Sequence, residues 1–220
     1  MYSNIKSCVS LNGQVSEYFV SCNGVRQGEN LSPFLFALFI NDIEEFLIQY
    51  GCNPVSVTGA DIHTFLKLLV IMYADDTVLF ANSRENLQNC LDGLNQYCDK
   101  WKLQINAEKT KVLIFSNRIF NRDDIGFTIG GKNIEIVNKF KYLGVTISHN
   151  GSFNANIADL EEKGNRALFS LIKKARRENL PLDIQFELFD RMVMPVILYG
   201  CEIWGYINLD KLDKLHLKFF

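Results

Sequence analysis

Residues 68–80 read LLVIMYADDTVLF, with two adjacent aspartates, Asp75 and Asp76, set between runs of large apolar residues. Buried carboxylates are costly unless paired, protonated or bound to a cation. The apolar runs are short, rich in Val, Ile, Leu and Phe, and separated by a tight polar step. That pattern predicts a hairpin of two buried strands with the aspartates at or near the bend. Aspartate is also an ordinary turn residue, because its side chain bonds nearby backbone N–H groups. Taken alone, such a pair is more often a turn than a metal site. Phosphate chemistry needs carboxylates close enough to share divalent cations about 3.5–4 Å apart, and magnesium favours such oxygen ligands.

Helices flank the hairpin on both sides in sequence. Residues 31–51, LSPFLFALFINDIEEFLIQYG, predict one helix, with Ser32 as its cap, Pro33 at its first position and Gly51 at its exit. Leu35, Phe36, Phe39, Ile40, Ile43, Phe46 and Leu47 recur at helical spacing and make one wide apolar face. Residues 83–103 predict a second helix capped by Ser83, with Leu87, Leu91, Leu94, Cys98 and Trp101 as its inner stripe. Further strands are expected in 15–28, in 106–116 after a loop, and in 140–148. A hairpin is expected to turn at Gly130-Gly131. From residue 149 the pattern becomes helical: 157–179, then 182–194 ending at Pro195, then an apolar-striped helix from 208. The expected class is α+β, helices on one face of a largely antiparallel sheet over 1–148, followed by a helical portion over 149–220.

Composition narrows the classes. The 220 residues are 48% hydrophobic and 22% charged, a globular balance. A formal net charge of −2 argues against attachment to nucleic acid by bulk charge alone, while leaving room for a local basic groove. Six cysteines form no Cys-x-x-Cys pair, which reads as reduced thiols in an intracellular protein. His63, His149 and His216 are scattered, against a zinc site. No apolar run reaches the roughly 18–20 residues of a membrane span. Residues 163–177 hold six cations and no acid, a stretch suited equally to a phosphate backbone or to a solvated helix face.

Four segments occur in order: GVRQGENLSPFLFALFINDI (24–43), YADD (73–76), LQINAEKTKVLIF (103–115) and FKYLGV (140–145). Each is weak alone. NGVRQGEN would be a surface turn, a lysine before a strand would be a solvated charge, and FKYLGV would be an ordinary strand. Together they resemble the reverse transcriptase palm of non-LTR (LINE-type) retrotransposons, and the similarity continues into MPVILYGCEIWG (194–205), on the thumb side.

The resemblance implies a polymerase palm-like antiparallel sheet over 1–148 and a thumb-like helical segment over 149–220. It implies an RNA-directed DNA polymerase acting on an RNA template, a DNA primer and dNTPs, with two Mg2+ ions. It implies that Asp75 is a metal ligand and Asp76 a weaker one, both with Tyr73 in the catalytic hairpin. Gly24, Arg26, Gln27 and Gly28 match the loop beside the incoming nucleotide and template, where a residue without Cβ lets backbone approach a ligand closely. Lys109 matches the lysine that protonates the leaving pyrophosphate, with Lys111 a near competitor. FKYLGV matches the segment that places the primer end.

The family palm also has an earlier strand bearing another catalytic aspartate. Here 23 residues precede Gly24, and Glu17 is the only acid among them. The expectation is therefore a chain without the first catalytic motif or the fingers, cut again within the last helix, and weakly active or inactive. The alternative is a non-catalytic remnant that binds nucleic acid. A different phosphate-handling enzyme, such as a cyclase, is disfavoured by GVRQG and FKYLGV.

Overall fold

The structure is a computed structural model describing residues 5–21, 24–25, 28–58, 65–116, 126–206 and 219. The first half of the chain carries β1 (Ile5–Ser7), β2 (Ser10–Leu11), β3 (Gln14–Val15), β4 (Phe19–Ser21), α1 (Ser32–Phe39), α2 (Ile43–Gln49), β5 (Val55–Thr58), β6 (Phe65–Leu68), β7 (Val70–Tyr73), β8 (Asp76–Leu79) and α3 (Arg84–Trp101). The second half carries β9 (Lys111–Leu113), β10 (Phe127–Ile129), β11 (Lys132–Val137), β12 (Lys139–Tyr142), β13 (Val145–Ser148), α4 (Asn154–Arg177), α5 (Leu182–Leu188), a π-helical turn (Phe189–Val193), α6 (Met194–Ile197) and α7 (Cys201–Trp204). This is a mixed α+β protein. Among the described residues most strands form two-stranded antiparallel ribbons, β9 and β11 pair in parallel, and no single continuous sheet is present.

The chain divides into two compact units, Met1–Ile105 with Thr128–Lys132, and Asn106–Phe127 with Asn133–Phe220. In the first, α2, α3 and the β7–β8 hairpin share one core built on Ile43, Leu47, Cys52, Leu69, Cys90 and Tyr97. The expected long helix is broken at 40–42 into α1 and α2. Ser32 sits inside α1 and does not cap it. Asp42, at the break, accepts a hydrogen bond from the Tyr97 hydroxyl at 2.6 Å, so the polar pair Asn41-Asp42 ends one helix where its carboxylate meets α3. Burial first, then this bond, pushes the Tyr97 phenol well above its ordinary pKa.

Helix α3 begins as expected, Ser83 Oγ accepting from the Asn86 N–H at 3.1 Å. Its buried seam differs from the expected leucine stripe. Cys90, Gly93 and Tyr97 are buried with Leu91 and Cys98, whereas Leu87, Leu94 and Trp101 are half-buried. Gly93 explains the shift: a Cβ there would lie 2.7 Å from Tyr50 Cδ1 and 3.2 Å from Leu47 Cδ2, so α2 and α3 approach closely at this point. Asn86 also fixes the exit from α2, accepting from the Asn53 N–H at 3.0 Å and donating to its carbonyl at 2.8 Å. The turn at Gly130-Gly131 forms with both glycines at positive φ.

The second unit packs Val145, Ile157, Leu160, Leu168, Leu171, Phe189, Val193, Ile197 and Trp204 into its core. Residues 140–148 were expected as one strand, and instead 139–148 folds as the β12–β13 hairpin, with Tyr142 opposite Val145 across a Leu143-Gly144 turn. Pro195 does not stop the helix. A π turn widens the helix just before it, and Pro195 enters in the first turn of α6, where no donor is required. The expected last helix, from 208, lies outside the described residues except for Phe219, which stacks on Phe189 with ring centroids 4.5 Å apart.

No helix among the described residues is long and apolar enough to cross a membrane, and Cys8, Cys52, Cys90, Cys98 and Cys201 are free thiols.

Gly93→Ala is expected to overpack the α2–α3 seam and cost about 1–3 kcal/mol in urea denaturation. An unchanged midpoint would show that Tyr50 moves aside freely. Burial pushes the Cys52 thiol up to about 12, with its bond to Cys90 adding to the rise, and burial raises Cys90 and Cys98 as well. Folded pKa values above the unfolded value of about 8.5 stabilise fully below that pH, and the contribution is lost as pH rises toward 12. Maleimide should therefore label exposed Cys8 quickly and Cys52, Cys90 and Cys98 only on unfolding. Equal labelling of all of them in the folded chain would contradict the buried core.

Candidate functional site

The β7–β8 hairpin is a tight device. Val70 pairs with Leu79, Ile71 with Val78, Met72 with Thr77 and Tyr73 with Asp76, leaving Ala74-Asp75 as a two-residue turn. Phe80 N–H extends the ladder to the Leu69 carbonyl at 2.9 Å. Side chains alternate across the strands. Leu69, in the bend before β7, is fully buried, and within the strands Val70, Met72 and Leu79 pack against the first unit's core. Ile71 and Tyr73 point the other way, and Tyr73 is 63% exposed. The strands are thus buried on one face only, unlike the two-sided burial expected from their composition.

Asp75 and Asp76 lie at the tip and are exposed. No hydrogen bond or ion pair to either side chain is present among the described residues. An aspartate serving only as a turn former would bond local N–H groups. These carboxylates do not, and both are exposed to solvent. Ala74 takes φ +53°. A two-residue hairpin turn with positive φ at its first central residue ordinarily has glycine there, and alanine in the left-handed region costs roughly 1–2 kcal/mol. The strain is held by the ladder behind it, a pattern associated with functional turns.

The GVRQG loop precedes α1 in the same unit. Gly24 and Gly28 have φ +88° and +86°, and an added Cβ at either would meet nothing within 4 Å. Their need for glycine is conformational, and the backbone at both is open to approach. Arg26 and Gln27 lie outside the described residues.

Lys109 belongs to the second unit. It is exposed and has no ion-pair partner among the described residues. The Asn106 side chain shapes the turn around it, accepting from the Lys109 N–H at 3.1 Å. Lys111 is different: it pairs with Glu135 at 2.7 Å, directly opposite across the parallel β9–β11 pair. Of the two lysines left open by spacing, Lys109 is the one with a free ammonium.

Among the described residues no group of three or more His, Cys, Asp and Glu side chains is placed to hold a metal ion. Two adjacent carboxylates on one turn do not by themselves fit a two-cation site, which needs ligands from more than one direction. Asp75 and Asp76 offer part of a ligand set.

Residues 2–147 match the family model described as reverse transcriptase (RNA-dependent DNA polymerase). This chain belongs to that family. The match covers all of the segments 24–43, 73–76, 103–115 and 140–145. The chain is 27% identical over 217 residues to an RNA-directed DNA polymerase from the mobile element jockey of Drosophila melanogaster, covering 95% of this chain and 22% of that protein. It is 31% identical over 219 residues to the Pol polyprotein of the type-2 retrotransposable element R2DM of the same fly, covering 94% of this chain and 19% of that protein. It is 27% identical over 222 residues to the Pol polyprotein of the type-1 retrotransposable element R2 of Popillia japonica, covering 97% of this chain and 34% of that protein. The reverse transcriptase domain is therefore similar to those of non-LTR retrotransposons, as its motifs indicate. It spans a fifth to a third of the length of these relatives.

Residues that the sequence did not single out surround the β12–β13 hairpin. Asn156, Asp159 and Tyr199 each bond it from a later helical segment. Tyr199 lies 56 residues from its partner Leu143, and no local pattern joins the two.

Ala74→Gly relieves the strain of the positive φ at this position and should stabilise the first unit by about 0.5–1 kcal/mol in urea denaturation. Destabilisation would show that the alanine methyl makes a contact that outweighs its backbone cost.

Proposed function

We propose that this reverse transcriptase domain contributes to RNA-templated DNA synthesis, adding nucleotides to a primer 3′-hydroxyl. What carries the reading is the hairpin tip: two exposed, unpartnered carboxylates on a strained turn, rooted in a core and lying within the matched family segment. Residues 1–148 act as the palm portion and 149–220 as the thumb-like portion. Asp75, with Asp76 beside it, supplies part of a Mg2+ ligand set that these two residues do not complete. Bound magnesium would supply charge neutralisation at the reacting phosphate. Tyr73, Gly24, Arg26, Gln27 and Gly28 contact the nucleotide and template. Lys109 donates a proton to the leaving pyrophosphate, and its free, exposed ammonium supports that role over the paired Lys111.

The second reading is a domain that binds nucleic acid without catalysis. Exposed Lys173, Lys174 and Arg176 at the end of α4 support it, since none has an ion-pair partner among the described residues, while Lys163, Arg166 and Arg177 are paired.

The test is primer extension on an RNA template with Mg2+, run beside the Asp75→Asn/Asp76→Asn chain, with hybrid binding measured on both. The expected result is hybrid binding by both chains, weak extension at most by the unmodified chain, and none by the variant. Extension that survives in the variant overturns the role of the aspartates. Failure of both chains to bind the hybrid overturns the polymerase reading.

A further inference from the structure

The turn at the tip of the β12–β13 hairpin has a costly geometry. Leu143 and Gly144 take φ +46° and +84°, and a leucine in the left-handed region is disfavoured by its Cβ. Such a turn persists when its surroundings over-determine it. Three side chains from later in the second unit reach the hairpin. Asn156, 1% exposed, accepts the Thr146 N–H at 2.9 Å. Asp159 binds Lys141 at 3.1 Å and Lys163 at 2.7 Å, holding β12 to α4. Tyr199 donates its hydroxyl to the Leu143 carbonyl at 2.9 Å, and of the three it alone bonds the turn itself.

The Tyr199 ring also lies against the turn. A Cβ on Gly144 would come within 2.6 Å of Tyr199 Cε1, so Gly144 is required both by its φ and by this ring. Tyr199 is in turn fixed from behind. Its carbonyl accepts from Trp204 Nε1 at 3.0 Å, and Trp204 is fully buried. Gly200, at φ +68°, brings the backbone so close that an added Cβ would lie 2.9 Å from Val145 Cγ2. The chain thus runs from a buried indole, through a tyrosine carbonyl, to a tyrosine hydroxyl on a strained hairpin tip. The rest of the Tyr199 side chain stays open, the residue being 52% exposed beside the turn.

We propose that Tyr199 is a positioning residue, locking the Leu143-Gly144 turn so that the hairpin presents a fixed edge to the 3′ end of a bound strand. The inference rests on the reading of 140–145 as the segment that places a primer end. It adds the residue that makes the edge rigid and assigns a role to the 194–205 segment. Rigidity matters here because holding a reacting end in one geometry requires a fixed surface, and small misplacements are costly.

The test compares two RNA–DNA hybrids of equal length, one with a recessed primer 3′ end and one blunt, by fluorescence anisotropy with the full chain. Amide exchange at 143–146 is measured in parallel. The unmodified chain is expected to prefer the recessed hybrid. Tyr199→Leu should lower affinity for that hybrid by about tenfold and Tyr199→Phe, which keeps the ring, by about threefold, with blunt-end affinity unchanged. Exchange at the turn should quicken in both. Unchanged preference in Tyr199→Leu overturns the proposal, as does an equal loss on both hybrids, which is the signature of a purely structural role. An unmodified chain that does not distinguish the hybrids overturns the primer-end reading on which the proposal stands, and amide exchange then shows whether Tyr199 holds the turn at all.

Discussion

Alternation along the paired strands Val70–Tyr73 and Asp76–Leu79 is the constraint on which the first unit depends. A strand places successive side chains on opposite faces. Here that rule turns Val70, Met72 and Leu79 toward the core, while Ile71 and Tyr73 face outward. The apolar contacts root the hairpin in the core that it shares with α2 and α3, and the same ladder carries Asp75 and Asp76 out to the tip. A slip of one residue would exchange the two faces. It would bury Tyr73 and expose Met72, so the core and the placement of the carboxylates are specified together.

The second unit solves a related problem with polar contacts. Its hairpin, β12–β13, has a turn whose dihedrals suit glycine at both positions, yet one position is leucine. Asn156, Asp159 and Tyr199 hold it by a backbone bond, an ion pair and a hydroxyl bond. The ion pair is partly exposed and screened, so its share is small. Hydrogen bonding from Lys163, followed by that from Lys141, holds the Asp159 carboxyl below the usual range. A lowered folded pKa contributes stability above the unfolded value of about 3.9 that is lost as pH falls through the folded one. Acid should therefore loosen β12 from α4.

Family membership and catalysis are separate conclusions. The first follows from residues 2–147 matching one model across four ordered segments. The second asks where the remaining metal ligands come from, and among the described residues none joins Asp75 and Asp76. Adjacent carboxylates repel each other, and a cation between them is held well only when further oxygens complete its shell. The relatives are three to five times longer than the aligned region.

By itself the sequence determined the α+β class, the hairpin with its aspartates at the bend, the Ser83 cap, the Gly130-Gly131 turn and the family. These are local signals, set by side-chain period, turn chemistry and ordered motifs. It did not reveal the break at 40–42, because that depends on Tyr97, 55 residues away, bonding Asp42. Nor did it show that Gly93 and not a leucine sets the α2–α3 seam, since close approach is a property of two helices and not of one. Lys109 and Lys111 were equivalent by spacing, and only the pairing of β9 with β11 placed Glu135 against the second of them. Tyr199 was invisible for the same reason: its partner is a backbone carbonyl, which every residue possesses, so only the folded chain could say which carbonyl it meets.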